Sequence, residues 1–176
     1  MVTPASPDPR DEIWVASFDT LYDALYAEAV ADKLIDRWQG VDQVTRALVA
    51  ITASGSAVSG WALWSKPQFQ STWLIVSGVA ALLAILHATL GAPERVKDNA
   101  EDKRRFLSLG ADLETFRYEM RINPAFDITQ FSQRLIEFRK RYSEAAQLVK
   151  NDILETGGLA EAAQAEINRR LAKEIK

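Results

Sequence analysis

Charge is distributed along this chain in a way that leaves few folding options. From Ala47 to Ser65 and again from Pro67 to Pro93 there is no Asp, Glu, Lys or Arg, and only Lys66 stands between the two stretches. At about 1.5 Å of helical rise per residue the first stretch covers roughly 28 Å, close to the ~30 Å hydrocarbon thickness of a bilayer. Two adjacent runs of this length predict two membrane-crossing helices. The first is diluted by Thr52, Ser54, Gly55, Ser56, Ser59 and Gly60, whereas the second, about Thr72 to Ala92, is richer in Leu, Ile and Val.

Lys66-Pro67 is expected to stop the first helix, because proline disfavours helix in the residue before it. The spans would then form an antiparallel hairpin over residues 44–92. Trp61, Trp64, Phe69 and Trp73 gather on both sides of the turn, where amphipathic rings settle at a membrane interface. Lys33, Arg37 and Arg46 precede the hairpin and Arg95, Lys97, Lys103, Arg104 and Arg105 follow it, against Lys66 alone in the turn, which predicts both termini on the cytoplasmic side. The competing reading is a helical hairpin buried in a soluble bundle. The N-terminal MVTPASPDPRDEIW has neither the basic region nor the apolar core of a secretory signal, so both spans are expected to be retained.

The flanking segments also carry helical patterns. In residues 1–43, Asp8-Pro9 suits a helix start and Gly40 a stop, with Trp14, Phe18, Leu21, Leu25 and Ala29 spaced by three and four. In residues 93–156, Phe106, Leu109, Leu113, Phe116 and Met120 continue that spacing to a breaker at Asn123-Pro124, in a helix expected to run unbroken out of the second span. From Asp127 onward, Ile128, Phe131, Leu135, Phe138, Tyr142, Ala145 and Val149 form a heptad seam. Phe131, Leu135, Phe138 and Tyr142 are candidates for contacts between subunits, the alternative being burial within one subunit. Gly157-Gly158 is expected to end this element, and residues 157–176 form a short helix with Leu159, Ala163, Ile167 and Leu171 on one face. The expected fold is an all-α integral membrane protein, a two-helix transmembrane hairpin carrying a cytoplasmic helical bundle.

Chemistry is sparse by comparison. A net charge of −3 exerts no global pull on nucleic acid, and the absence of cysteine excludes disulfides, thiol catalysis and thiolate metal sites. Walker-type glycine loops, HExxH and GxSxG motifs are missing, so the expectation is a protein that is not an enzyme and uses no cofactor or metal. Thr45, Thr52, Ser56 and Ser59 fall within about 60° of one another on a helix of 3.6 residues per turn, a stripe that could line a pore or let helices pack closely. His87, the only histidine, is either a gating group facing that pore or a neutral imidazole bonded to nearby backbone or water. The basic runs Lys103-Arg104-Arg105 and Arg139-Lys140-Arg141 are candidates for binding acidic lipid or an anionic signal, or are solvated helix faces beside Glu101, Asp102, Glu137 and Glu144.

The order of elements, the small-residue first span, the charged exit ERVKDNAEDKRR and the stretch NPAFDITQF together resemble the SLATT family of bacterial two-transmembrane effectors, from about Ala24 to Val149. The resemblance implies a bacterial inner-membrane pore or ion channel that acts in anti-phage defence. Its partners would be membrane lipid, further copies of the chain, and a nucleotide or oligonucleotide signal or the protein that produces it. Two spans enclose no water path in a monomer, so a pore requires a homo-oligomer. The chain is expected to depart from the pattern in having no appended sensor domain, so that a trigger would bind its helical part or arrive on a partner. The alternatives are a membrane-anchored helical interaction module and a holin-like permeabilising protein.

Overall fold

The residues that start and stop each helix can be read one by one. Asp8 accepts the Arg10 backbone N–H on its carboxylate (2.9 Å) and the Asp11 N–H on its carbonyl (2.9 Å), with Pro9 in the first turn, where no N–H is needed. Asp127, in extended conformation, caps another helix by accepting the Gln130 N–H at 3.0 Å. In the computed structural model these signals delimit α1 (Pro9–Trp64), α2 (Gln70–Leu90), α3 (Ala92–Ile122), α4 (Ile128–Leu148) and α5 (Gly157–Glu174), with no strand among the described residues. The structure describes the backbone of residues 8–64 and 70–174, and the side chains of residues 8–50, 71, 75, 78–82, 84–85 and 88–172.

Three expected boundaries are corrected. Gly40 does not stop α1, which passes through it; an interior glycine costs a helix about 1 kcal/mol relative to alanine but does not terminate it. The helix following the hairpin is not continuous with α2, because Gly91 takes a φ of +58° between them and α3 starts afresh at Ala92. Gly157-Gly158 opens α5 rather than closing α4, which has already stopped at Leu148 with Val149 extended.

The membrane expectation is also corrected. Among the described residues no helix is long and apolar enough to cross a membrane. A span needs about 20 consecutive, predominantly apolar residues. The uncharged part of α1 is the end of a helix that bears charge from Arg10 to Arg46, and hydroxyl and glycine residues dilute it. In α2 the described apolar residues Ile75, Val79, Leu82 and Ile85 are interspersed with Ser71, Gly78, Thr89 and alanines. This overturns the integral membrane fold with two spans, the channel and pore assignment, and the placement in a bacterial inner membrane.

The chain divides into two units, Met1–Leu34 with Asn99–Lys176, and Ile35–Asp98. In the first, α1 and α3 run antiparallel, as the pairing of Asp32 with Lys103 at one end and of Trp14 with Arg117 at the other requires. Chain reversal at residues 123–127 lays α4 back along α3, so that Phe116 meets Phe131 and Phe138, and Phe106 meets Tyr142. Leu21, Ala24, Leu25 and Ala29 of α1, Leu109 and Leu113 of α3, and Ala163 and Ile167 of α5 make one core cluster. A second cluster joins Ile13, Phe116, Met120, Phe126, Phe131 and Leu135. Helix-to-helix ion pairs rim the first cluster: Lys33 with Glu166 at 2.8 Å and Arg170 with Glu28 at 3.1 Å hold α5 to α1.

In the second unit Trp38 and Ala92 are buried, and Arg46 pairs with Asp42 one turn earlier at 2.9 Å. The described face of α2 is bare. Ile75, Val79, Leu82 and Ile85 are 68%, 52%, 61% and 66% exposed.

Candidate functional site

The buried face of α1 is turned from where hydrophobicity alone puts it. Ile13 and Ser17 go inside, while Trp14 and Phe18 stay on the flank, each 38% exposed. Ser17 can be buried because its hydroxyl donates to the Trp14 carbonyl (2.7 Å) and accepts from Arg117 Nη1 (2.9 Å). The same Arg117 nitrogen donates to the Trp14 carbonyl at 2.8 Å, and its guanidinium lies 3.9 Å from the Trp14 ring centre and 5.1 Å from that of Phe18. One turn further along α3, Arg121 lies 5.2 Å from the ring of Tyr118. Cation–π contacts of this kind contribute about 0.5–1 kcal/mol at exposed sites. Trp14, Phe18, Arg117, Tyr118 and Arg121, with Leu21, Glu114, Thr115 and, from α5, Leu171, line an open groove of about 670 Å³, which therefore holds one carboxylate beside two guanidinium groups. Sequence reading missed this groove; the signal for it was Arg117 and Arg121 at helical spacing opposite Trp14 and Phe18.

The basic runs are dispersed rather than pooled. Lys103 pairs with Asp32 at 2.5 Å, Arg105 with Glu101 at 2.7 Å and Asp102 at 2.9 Å, and Arg141 with Asp112 at 2.8 Å. Lys140 lies 3.8 Å from Glu144, and Arg104 and Arg139 are exposed. Arg104, Arg105 and Arg141 do share a groove of about 490 Å³ between α3 and α4, floored by Leu109 and Leu148, but Glu101 and Glu144 line it as well. Its charge is nearly balanced, which gives an anion little to recognise.

The seam residues proposed for subunit contacts are used inside the chain. Phe131 and Leu135 are buried in the second core cluster, and Phe138 and Tyr142 pack against the first. Of the pore candidates, Thr45 turns its hydroxyl back to the Val41 and Asp42 carbonyls at 2.8 and 3.0 Å. The side chains of Thr52, Ser56, Ser59 and His87 lie outside the described residues. No group of three or more acidic or histidine side chains could hold a metal ion among the described residues.

Titration bears on the α1–α4 and α1–α5 contacts. Partial burial, with Asp19 one turn away, raises the Asp23 carboxyl above the usual range, and burial with Asp23 nearby raises the Tyr142 phenol. The hydrogen bond from Lys33 lowers the Glu166 carboxyl despite some desolvation. A carboxyl lowered in the folded state stabilises it above the unfolded-state value, and that contribution is lost as pH falls through the folded-state value. Glu166→Gln is therefore expected to cost no more than about 1 kcal/mol at neutral pH, the range for a partly exposed pair. In urea titrations repeated at decreasing pH the difference from the native chain should vanish; a difference constant with pH would exclude the ion pair as its source.

No family model, curated protein or solved structure matches this chain. The site therefore has to be interpreted from its own geometry.

Proposed function

We propose that this chain is a self-associating helical interaction module, in which the apolar face of α2 packs against the same face of a second copy. The observation that carries the reading is the exposure of Ile75, Val79, Leu82 and Ile85, which fall within roughly 120° of one another on a helix of 3.6 residues per turn. Isolated exposed apolar residues are ordinary, but a contiguous apolar stripe marks an interaction surface. Its occupant must be a helix face without charge. Within this chain α2 is such a helix along its whole length, whereas α3, α4 and α5 carry charged residues throughout and α1 is free of them only after Arg46. A two-fold contact is then self-complementary, and Gly78 and Ala81 on the exposed face leave room for close approach. The resemblance to bacterial defence effectors supplies a setting, in which a signal or partner acts by changing the state of assembly.

Sedimentation equilibrium on the full chain tests this. The native chain should associate at micromolar concentration, and the double variant Ile75→Asp/Leu82→Asp should weaken association by at least about 100-fold, because two uncompensated carboxylates would be buried in the contact. A monomeric native chain, or an assembly that survives both charges, would overturn the proposal. So would uptake of the native monomer by uncharged vesicles that the two charges abolish.

A further inference from the structure

The contacts that hold α5 are made with parts of the chain far from it in sequence. Leu159, Ala163 and Ile167 are no more than 1% exposed, and the last two share a cluster with Leu21, Ala24, Leu25 and Ala29 of α1 and Leu109 and Leu113 of α3. At the rim Glu166 accepts from Lys33 and Glu28 accepts from Arg170, across 133 and 142 residues of chain. The two pairs have opposite polarity: α1 offers a cation at 33 and a buried anion at 28, and α5 the reverse at 166 and 170. Without α5, this face of α1 and α3 is an apolar trough whose charges read an incoming helix in one direction only. Nothing in these contacts requires that helix to belong to the same chain.

The link to α5 is built to move. The eight residues between Leu148 and Gly157 contain no helix, and Ile153 among them is 69% exposed. Gly157 and Gly158 follow in the first turn of α5, although glycine is the least favourable helix residue after proline. Neither has a positive φ, and a Cβ on either would meet nothing within 4 Å, so the docked form does not need glycine there. What they supply is backbone freedom when α5 is off the bundle. The rest of α5 is rich in Ala, Glu, Gln, Arg and Lys, which favour helix, so it re-docks with its pattern intact. We infer that the trough of α1 and α3 also takes the α5 of a second copy, the helix being exchanged between two chains about a hinge at residues 149–158. Exchange repeats every native contact of α5, so its cost is confined to association and to the link. The surface shares no residue with the α2 face and does not rest on that reading.

Cross-linking between full chains tests the inference. The sequence has no cysteine, so Lys33→Cys and Glu166→Cys chains carry one thiol each. The native side chains meet at 2.8 Å, so a short bismaleimide bridges the two thiols efficiently only where α5 of one chain lies on α1 of the other. In that mixed pair the second exchanged contact regains the Lys33–Glu166 pair that neither chain holds alone. After incubation at high micromolar concentration, the mixture should give at least about tenfold more 33–166 cross-link, identified by peptide mass, than Lys33→Cys mixed with Lys140→Cys, whose thiol sits on the exposed face of α4. Removing residues 151–154 halves the link and keeps α5 from returning to its own trough, so that variant should sediment as a dimer. Equal yields from the two mixtures, or a shortened chain that sediments as a monomer, overturns the inference. Both measurements are made in the Ile75→Asp/Leu82→Asp background, so neither result depends on the α2 contact and each stands even if the proposed function falls.

Discussion

Phe116→Ala should lower the unfolding free energy by about 3–5 kcal/mol, the range for truncating a fully buried aromatic side chain. Phe116 has no solvent exposure, and its ring centre lies 5.1 Å from that of Phe131 and 5.3 Å from that of Phe138, the latter edge-on. The Arg134 guanidinium covers the ring at 5.0 Å. Truncation removes the apolar transfer energy and opens a void that α3 and α4 cannot close, because Leu113 and Met120 above and below it are packed into separate clusters. Urea titration monitored by circular dichroism should show a lower midpoint with an unchanged slope. Tyr118→Ala, on the exposed side of the same helix, is the control and should cost under about 1 kcal/mol. A Phe116→Ala cost no larger than the control would mean that the two core clusters are not jointly held by this ring.

Ile167→Asp should be as damaging by a different route. Ile167 is the fully buried centre of α5, packed with Leu21, Ala24 and Leu113. A carboxylate there has no partner and costs about 3–5 kcal/mol at neutral pH. The ion pairs that hold α5 at its rim, Lys33–Glu166 and Arg170–Glu28, each contribute too little to offset that, about 0–1 kcal/mol for pairs with an exposed member. Separation of α5 is the cheapest relief. Limited proteolysis should therefore cut residues 149–156 much faster than in the native chain, while α3 and α4 remain protected. Burial raises the pKa of the introduced acid, so its damage is greatest at high pH and should shrink as pH falls; Ile167→Val should cost only about 0.5–1.5 kcal/mol. Unchanged proteolysis would show that α5 is not held through this residue.

The apolar seams of α3 and α5 were legible because Phe106, Leu109, Leu113, Phe116 and Met120 all lie inside, as do Leu159, Ala163 and Ile167; of the α4 seam Phe131 and Leu135 are buried, and Val149 at its end is exposed. The face of α1 was not, because Ser17, Thr20 and Glu28 occupy buried positions. Each is satisfied by a group that hydropathy ignores: a carbonyl one turn back for Ser17 and Thr20, and Arg170 for Glu28. The basic runs do not form patches, for a geometric reason. Consecutive residues on a helix point about 100° apart, so Lys103-Arg104-Arg105 reads as a patch in the chain but disperses to Asp32, to solvent and to Glu101 with Asp102 in space. Arg117 and Arg121 form no run and were passed over, although their spacing places both on one groove. The charge-free stretches were measured correctly as sequence, but freedom from charge over a given length is a weaker condition than a helix apolar enough to span a bilayer.

Gly91 carries a consequence about chirality. A side-chain carbon placed there would find its nearest neighbour, Glu94 Oε2, at an ordinary 3.8 Å, so crowding is not what excludes one. What excludes it is the mirror-image sense of the backbone, which costs an L-residue about 1–2 kcal/mol. A D-alanine would sit at that link without strain where its natural enantiomer would not. The junction between α2 and α3 selects for handedness rather than for volume.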